Sequence, residues 1–178
     1  DLQGMAVNMD GDNIYLGMVI ASGAQKEVLA FLSPDEETKL EYNIARALAK
    51  NPDDPYFLEL KGQILLESGR PVEAIEPLRQ AVAKAGNQPL IAAMLGHALI
   101  STEKAEHFAE AKSVLKNAVN RDNQNPFAWY QLGIIYDREG DPARAALATA
   151  ERNNLEGNPK LALVSAKMAL RGIPQGSP

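Results

Sequence analysis

The stretch WYQLGIIY, Trp129 to Tyr136, holds the only tryptophan of the 178-residue chain and two of its five tyrosines. Trp129, Leu132, Gly133 and Tyr136 fall at the third- and fourth-residue spacings that put side chains on one face of a helix. Tyr130 and Ile134 lie on another. A proline, Pro126, stands just before the run, and that register recurs upstream. Pro55, Pro89 and Pro126 each open a helical pattern, at spacings of 34 and 37 residues, and each is followed seven residues later by a glycine: Gly62, Gly96 and Gly133. Small residues follow at a second register, Ala74 and Ala81, then Ala111 and Ala118, then Ala145.

The repeat has a physical reading. Proline is cheap at the first position of a helix, because that N–H has no intrahelical partner. Glycine inside a helix costs about 1 kcal/mol relative to alanine. Its recurrence implies a neighbouring helix lying close, with the alanines of the second helix completing the contact. ESGRP (67–71) and REGDP (138–142) place glycine past one helix end and proline near the next start. In the middle unit the turn reads STEKAEHFAE, three residues longer, and an inter-helix loop is the usual place for such an insertion.

The flanks extend the array. A new unit started at Ala143 puts Ala150, Gly157, Ala162 and Ala169 in register, so the helix at 142–156 serves two overlapping repeats. Upstream, Leu40, Ile44 and Ala47 share a face, and SPDEE at 33–37 supplies a cap, a proline and first-turn acids. Residues 35–50 therefore read as an orphan second helix whose partner is expected from Ala24 to Leu32. Before that, only a weak apolar element at Ile14–Ile20 stands out.

These registers resemble the tetratricopeptide repeat, whose first-helix signature W-x2-L-G-x2-Y is met in full by Trp129, Leu132, Gly133 and Tyr136. The other units carry Leu58 and Ala92 where tryptophan would stand, and Thr149 replaces a large residue in the third. The expected fold is all-α, a solenoid of three to four antiparallel helix pairs. Residues 1–33 form an N-terminal segment and 34–178 the repeat domain, with repeats at 55–88, 89–125, 126–159 and an overlapping 143–172.

Composition narrows the function. Net charge is −5, with no basic concentration of the kind that binds phosphate backbones, so no nucleic-acid partner is expected. The absence of cysteine excludes disulfides, thiolate metal sites and a cysteine nucleophile. No apolar run reaches the ~20 residues of a membrane-spanning helix. Asp1, Asp10 and Asp12 precede IYLGMVIASGA, where a signal peptide needs positive charge. The first residue is not Met, and the chain is read as a fragment with its natural start upstream.

Catalytic patterns are missing. His97 is followed by Ala-Leu-Ile-Ser, not by the residues of an H-E-x-x-H zinc site. His107 and Glu110 supply two ligands in the insertion loop without a third. GDNIYLG (11–17) lacks the spacing and lysine of a phosphate loop, and no G-x-S-x-G occurs. No metal, no cofactor and no enzymatic activity of its own are expected.

Binding is then expected on the concave face of the solenoid. The repeat resemblance implies, by register, Tyr56, Glu59, Gln63 and Glu67 in the first unit. It implies Leu90, Ala93, His97 and Ser101 in the second, and Phe127, Tyr130, Ile134, Asp137 and Arg138 in the third. Two readings stay open: a protein- or peptide-binding groove anchored by Tyr56, Phe127 and Tyr130, or packing against neighbouring helices. The lysine, arginine and asparagine of a carboxylate-clamping groove are replaced by Glu59, Gln63, Ala93, His97, Tyr130 and Ile134, so that specialisation is not expected.

Finer strings narrow the resemblance. NPDDPYFLELKGQILLESGR (51–70), LGHALI (95–100), LATAER (147–152) and IPQGSP (173–178) occur in this order. Together they resemble the C-terminal repeat domain of bacterial periplasmic zinc metalloproteases of the β-barrel assembly-enhancing type. That resemblance implies a periplasmic location and an upstream protease domain. It implies outer-membrane assembly components or misassembled clients as partners. A free-standing scaffold that self-associates as a homo-oligomer is the alternative.

Overall fold

In the computed structural model the described residues are 7–10, 13–16 and 34–173, with side chains described from Lys39 onward. Eight helices occupy the long segment: α1 Pro34–Lys50, α2 Pro55–Glu67, α3 Pro71–Lys84, α4 Pro89–Ser101, α5 Ala105–Arg121, α6 Pro126–Arg138, α7 Pro142–Leu155 and α8 Pro159–Gly172. They pack in sequence order as an all-α solenoid. A short antiparallel ribbon pairs β1 (Val7–Asp10) with β2 (Asn13–Leu16), with Asn8 opposite Tyr15. The Ile14–Ile20 element is thus seen only as far as Leu16. The partner expected at Ala24–Leu32, the Ser33 cap and the last five residues lie outside the described residues.

The prolines sit where their chemistry predicts, in the first turn of α2, α4 and α6. Side chains immediately before them accept the otherwise orphaned first-turn N–H groups. Asp54 accepts from Tyr56 N at 2.9 Å and Phe57 N at 3.2 Å, and Asn125 from Phe127 N at 3.0 Å and Ala128 N at 3.2 Å. Gln88 does the same for Leu90 N at 3.2 Å.

The middle turn is no longer than the others. Three residues separate α2 from α3, α4 from α5, and α6 from α7 alike. The insertion instead lengthens α5, which has 17 residues where α3 and α7 have 14. The expectation of a loop at STEKAEHFAE is corrected: Ala105 onward is helix, because an Ala-Glu-rich run favours helix once a turn has closed before it. His107 therefore lies in the first turn of α5, where Thr102 Oγ1 meets its Nδ1 at 2.7 Å. Glu110, three residues on, pairs with Arg79 of α3 through two hydrogen bonds of 3.0 Å. Among the described residues no group of three metal-binding side chains converges.

The core runs along the axis of the stack. Leu58, Leu65, Leu78, Ile91, Leu95, Leu99, Leu115, Leu132 and Ile135 form one continuous cluster. A smaller one joins Leu40 and Ile44 of α1 to Leu60 and Ile64 of α2. Each fully buried leucine contributes roughly 1.5–3 kcal/mol. Helix α4, apolar on almost every side, is the central rod, as expected of a helix enclosed by neighbours.

The recurring glycines do make room, but leucines rather than alanines fill it. Leu78 lies directly over Gly62, and Leu115 over Gly96. Ala74, Ala81, Ala111 and Ala118 flank these contacts and are fully or almost fully buried. At Gly133 the nearest atoms are Ala148 Cβ, 3.5 Å from where a Cβ would stand, and Ala145 O at 3.9 Å. In that unit the leucine register carries Thr149, which is exposed and returns its hydroxyl to Ala145 O at 2.9 Å.

At the C-terminal end, α7 packs against both α6 and α8. The small residues of the overlapping register mediate the second contact: Ala150, Ala162 and Ala169 are buried, as is Ala146. A Cβ on Gly172 would come within 2.6 Å of Ala143 Cβ.

Candidate functional site

The first helices α2, α4 and α6 carry the expected groove residues, and the structure sorts them by exposure. Tyr56 and Tyr130 are open to solvent, 43% and 46% exposed, and Asp137 is exposed beyond them. Glu59, His97, Phe127 and Ile134 are half-buried. Ala93 has no accessible surface and Gln63 is 2% exposed, so neither is available to a partner. The stack itself covers both, because they lie on the flank of α2 or α4 that its neighbours occupy.

Two constellations emerge. In the first, the rings of His97 and Phe127 meet edge-on, with centroids 5.5 Å apart and planes at 72°. Gln131, one turn beyond Phe127 on α6 and 1% exposed, places its Nε2 2.9 Å from His97 Nδ1. As oriented, the amide donates, so Nδ1 accepts and the imidazole proton sits on Nε2. Gln131 Oε1 has no hydrogen-bond partner. His97 is thereby held across the α4–α6 seam.

His97 also lines a cavity of about 300 Å³ with Leu66, Glu67, Gly69, Pro71 and Ser101, open to solvent beside the α2–α3 turn. Three of these, Glu67, His97 and Ser101, are register positions read from the sequence. Its lining thus offers a carboxylate, an imidazole and a hydroxyl beside the apolar Leu66 and Pro71. Such a pocket suits a side chain with both an apolar stem and a polar tip.

In the second constellation the Tyr130 ring lies under the Arg152 guanidinium, 5.2 Å from its carbon, as a cation–π pair between α6 and α7. Glu156 forms a loose ion pair with the arginine, 3.4 Å between Nε and the carboxylate and not aligned as a hydrogen bond. Register reasoning missed Arg152 and Gln131. Arg152 sits on a second helix, outside the first-helix positions considered, and Gln131 belongs to the buried face of α6.

Electrostatically the face is uneven. Glu59 is the outlier: burial pushes its carboxyl up from 4.5 to about 7. At the far end, the Arg144 backbone N–H and guanidinium hold Asp141 below the usual carboxylate range. Arg138 stacks over Phe108, 4.9 Å from the ring centroid, and reaches Glu103 at 3.8 Å.

The profile of one protein family, described as Tetratricopeptide repeat, matches residues 43–89 and 101–159, more than half of the chain. Solved structures share the fold. MamA superposes with a TM-score of 0.62 at 19% identity, covering 87% of this chain and 96% of its own. YrrB, described as a TPR protein with an unusual peptide-binding site, gives 0.63 at 18% identity over 80% and 71%. A thermophilic TPR protein from Thermus thermophilus, TTC0263, gives 0.55 at 22% identity over 86% and 89%. No curated protein is similar to the chain in sequence.

Proposed function

The chain belongs to the tetratricopeptide repeat family, and we propose that it binds a protein or peptide along the face presented by α2, α4 and α6. The observation that carries this reading is the pair of aromatic stations, His97–Phe127 between α4 and α6 and Tyr130–Arg152 between α6 and α7, with His97 also lining the cavity it shares with Glu67 and Ser101. Solvent-open tyrosines on a rigid helical scaffold make good anchors, because they offer large contact area at little entropic cost. YrrB, described as carrying a peptide-binding site, is a precedent for this use of the fold.

The experiment is a peptide selection on the immobilised domain, followed by Tyr130→Ala. Tyr130 is 46% exposed, so the variant keeps its helicity while affinity for the selected peptide falls about tenfold. Loss of helicity, or unchanged affinity, overturns the assignment.

A finer reading extends this proposal. The ordered strings PYFLELKGQILLESGR, LATAER and IPQGSP support a non-catalytic C-terminal module of a periplasmic zinc metalloprotease. It would recognise partners or clients in outer-membrane protein quality control and position them for the protease domain. The upstream reading frame decides this. One lacking both H-E-x-x-H and a signal peptide removes the protease link and leaves a free-standing repeat scaffold.

A further inference from the structure

The last described helix leaves apolar side chains in solvent. In α8, Ala162, Ser165, Ala166 and Ala169 face α7, yet Leu161, Val164 and Met168 are 57–58% exposed, and Leu163 and Leu170 on the other flank are 57% and 79% exposed. Elsewhere among the described residues, exposed large apolar side chains are scattered singly, as at Tyr42, Tyr56 and Val72. Helices α2 to α7 each lie between two packed neighbours, whereas α8 packs chiefly on α7. A helix that closes a solenoid ordinarily turns a polar face outward. This one does not.

Charge identifies what fits. Helix α8 carries Lys160, Lys167 and Arg171 and no carboxylate, in a chain whose net charge is −5. Arg70, Arg79, Arg138, Arg144 and Arg152 each pair with a carboxylate. Among the described residues the three cations of α8 have no such partner. At 100° per residue they form one strip, bordered directly by Val164 and Met168. We infer that this strip and the Leu161–Val164–Met168 flank dock an acidic amphipathic helix of a partner protein, which adds one more layer to the stack.

Alternatives fit less well. A second α8 would bring cations against cations. A bilayer would meet the outward cations first, with the apolar flanks turned sideways along the stack. An amphipathic helix lying beside α8 buries the flank and sets its carboxylates against Lys160, Lys167 and Arg171.

The probe is a synthetic helix-forming peptide with leucines at i, i+3 and i+7 flanked by glutamates, titrated against the full chain by fluorescence anisotropy. Binding is expected, weakening with salt, and falling about tenfold or more in both Lys160→Glu/Lys167→Glu and Val164→Ser/Met168→Ser. All four positions are exposed, so melting temperature serves as a folding control. The same peptide with lysines in place of glutamates should not bind, and Tyr130→Ala should leave the interaction unchanged, which separates this surface from the concave face. Four results overturn the inference: no binding of the glutamate peptide; equal binding of both peptides; capture by phosphatidylglycerol vesicles instead; or dimers in ultracentrifugation that Val164→Ser/Met168→Ser abolishes.

Discussion

Leu115 of α5 lies over Gly96 of α4 so closely that a Cβ on the glycine would stand 2.5 Å from Leu115 Cγ. Both residues are buried, and Leu115 has no accessible surface. Gly96→Ala must therefore displace a leucine locked in the centre of the core, at about 1–3 kcal/mol. Gly133, at the same register, meets nothing nearer than Ala148 Cβ at 3.5 Å. There the alanine fits, and helix propensity makes Gly133→Ala neutral or stabilising by up to about 1 kcal/mol. Urea denaturation of the two variants checks the contrast; equal destabilisation would mean the spacing at Gly133 is also required.

A second prediction comes from the three equal turns. Gly69 and Gly140 occupy the left-handed conformation at φ 71° and 73°, and the corresponding residue of the middle turn is Glu103 at φ 56°. A side chain there costs roughly 1–2 kcal/mol, partly offset by the extra freedom glycine has when unfolded. Its ion pair with Arg138, at 3.8 Å on an 80% exposed side chain, contributes little. Glu103→Gly is expected to raise stability by about 0.5–1 kcal/mol, read as an upward shift in the thermal midpoint. A drop would show that the Arg138 contact outweighs the strain.

Proline, glycine and alanine registers made the helix pairs legible, because each residue type reports a backbone event at a fixed place in the unit. The insertion was misplaced for a definite reason: a spacing of 37 says that residues were added but not where. Only propensity, with Ala105–Glu106 already helix-forming, separates a longer loop from a longer α5. The exposure of the proposed groove positions was legible in part. Tyr56 and Tyr130 are open as their register implied, but Ala93 and Gln63 share that register and are buried. Exposure at a helix seam depends on crossing geometry, which the register of one helix does not show. The contacts that hold the site, Gln131 to His97 and Arg152 to Tyr130, link different helices and follow from no local pattern.

Glu59 makes stability depend on pH. Burial raises its carboxyl to about 7 in the folded chain, against 4.5 for the unaffected group. The folded state thus binds the proton more tightly than the unfolded state, so stability falls as pH rises from 4.5 to 7 and levels off above. The difference amounts to something on the order of 3 kcal/mol. Glu59→Gln removes the ionisation: the variant should match the parent near pH 4.5, exceed it at about pH 8, and lack this slope between. Parallel pH–stability curves for the two proteins would mean that water reaches the carboxylate.

The last prediction concerns the glutamine behind the histidine. Gln131 donates to His97 Nδ1 at 2.9 Å, while its own Oε1 finds no partner in a 1% exposed site. Gln131→Leu conserves shape and removes both the useful donor and the unsatisfied acceptor. Those effects oppose each other, so stability should change by less than about 1 kcal/mol. The imidazole, however, loses the donor that fixes its proton on Nε2. Nitrogen-15 spectra of the ring should pass from one dominant tautomer to a mixture, and affinity at the cavity of Glu67, His97 and Ser101 should fall even though no lining residue has changed. An unaltered tautomer would show that the edge-on contact with Phe127 and the other surroundings of His97 are enough to hold the ring.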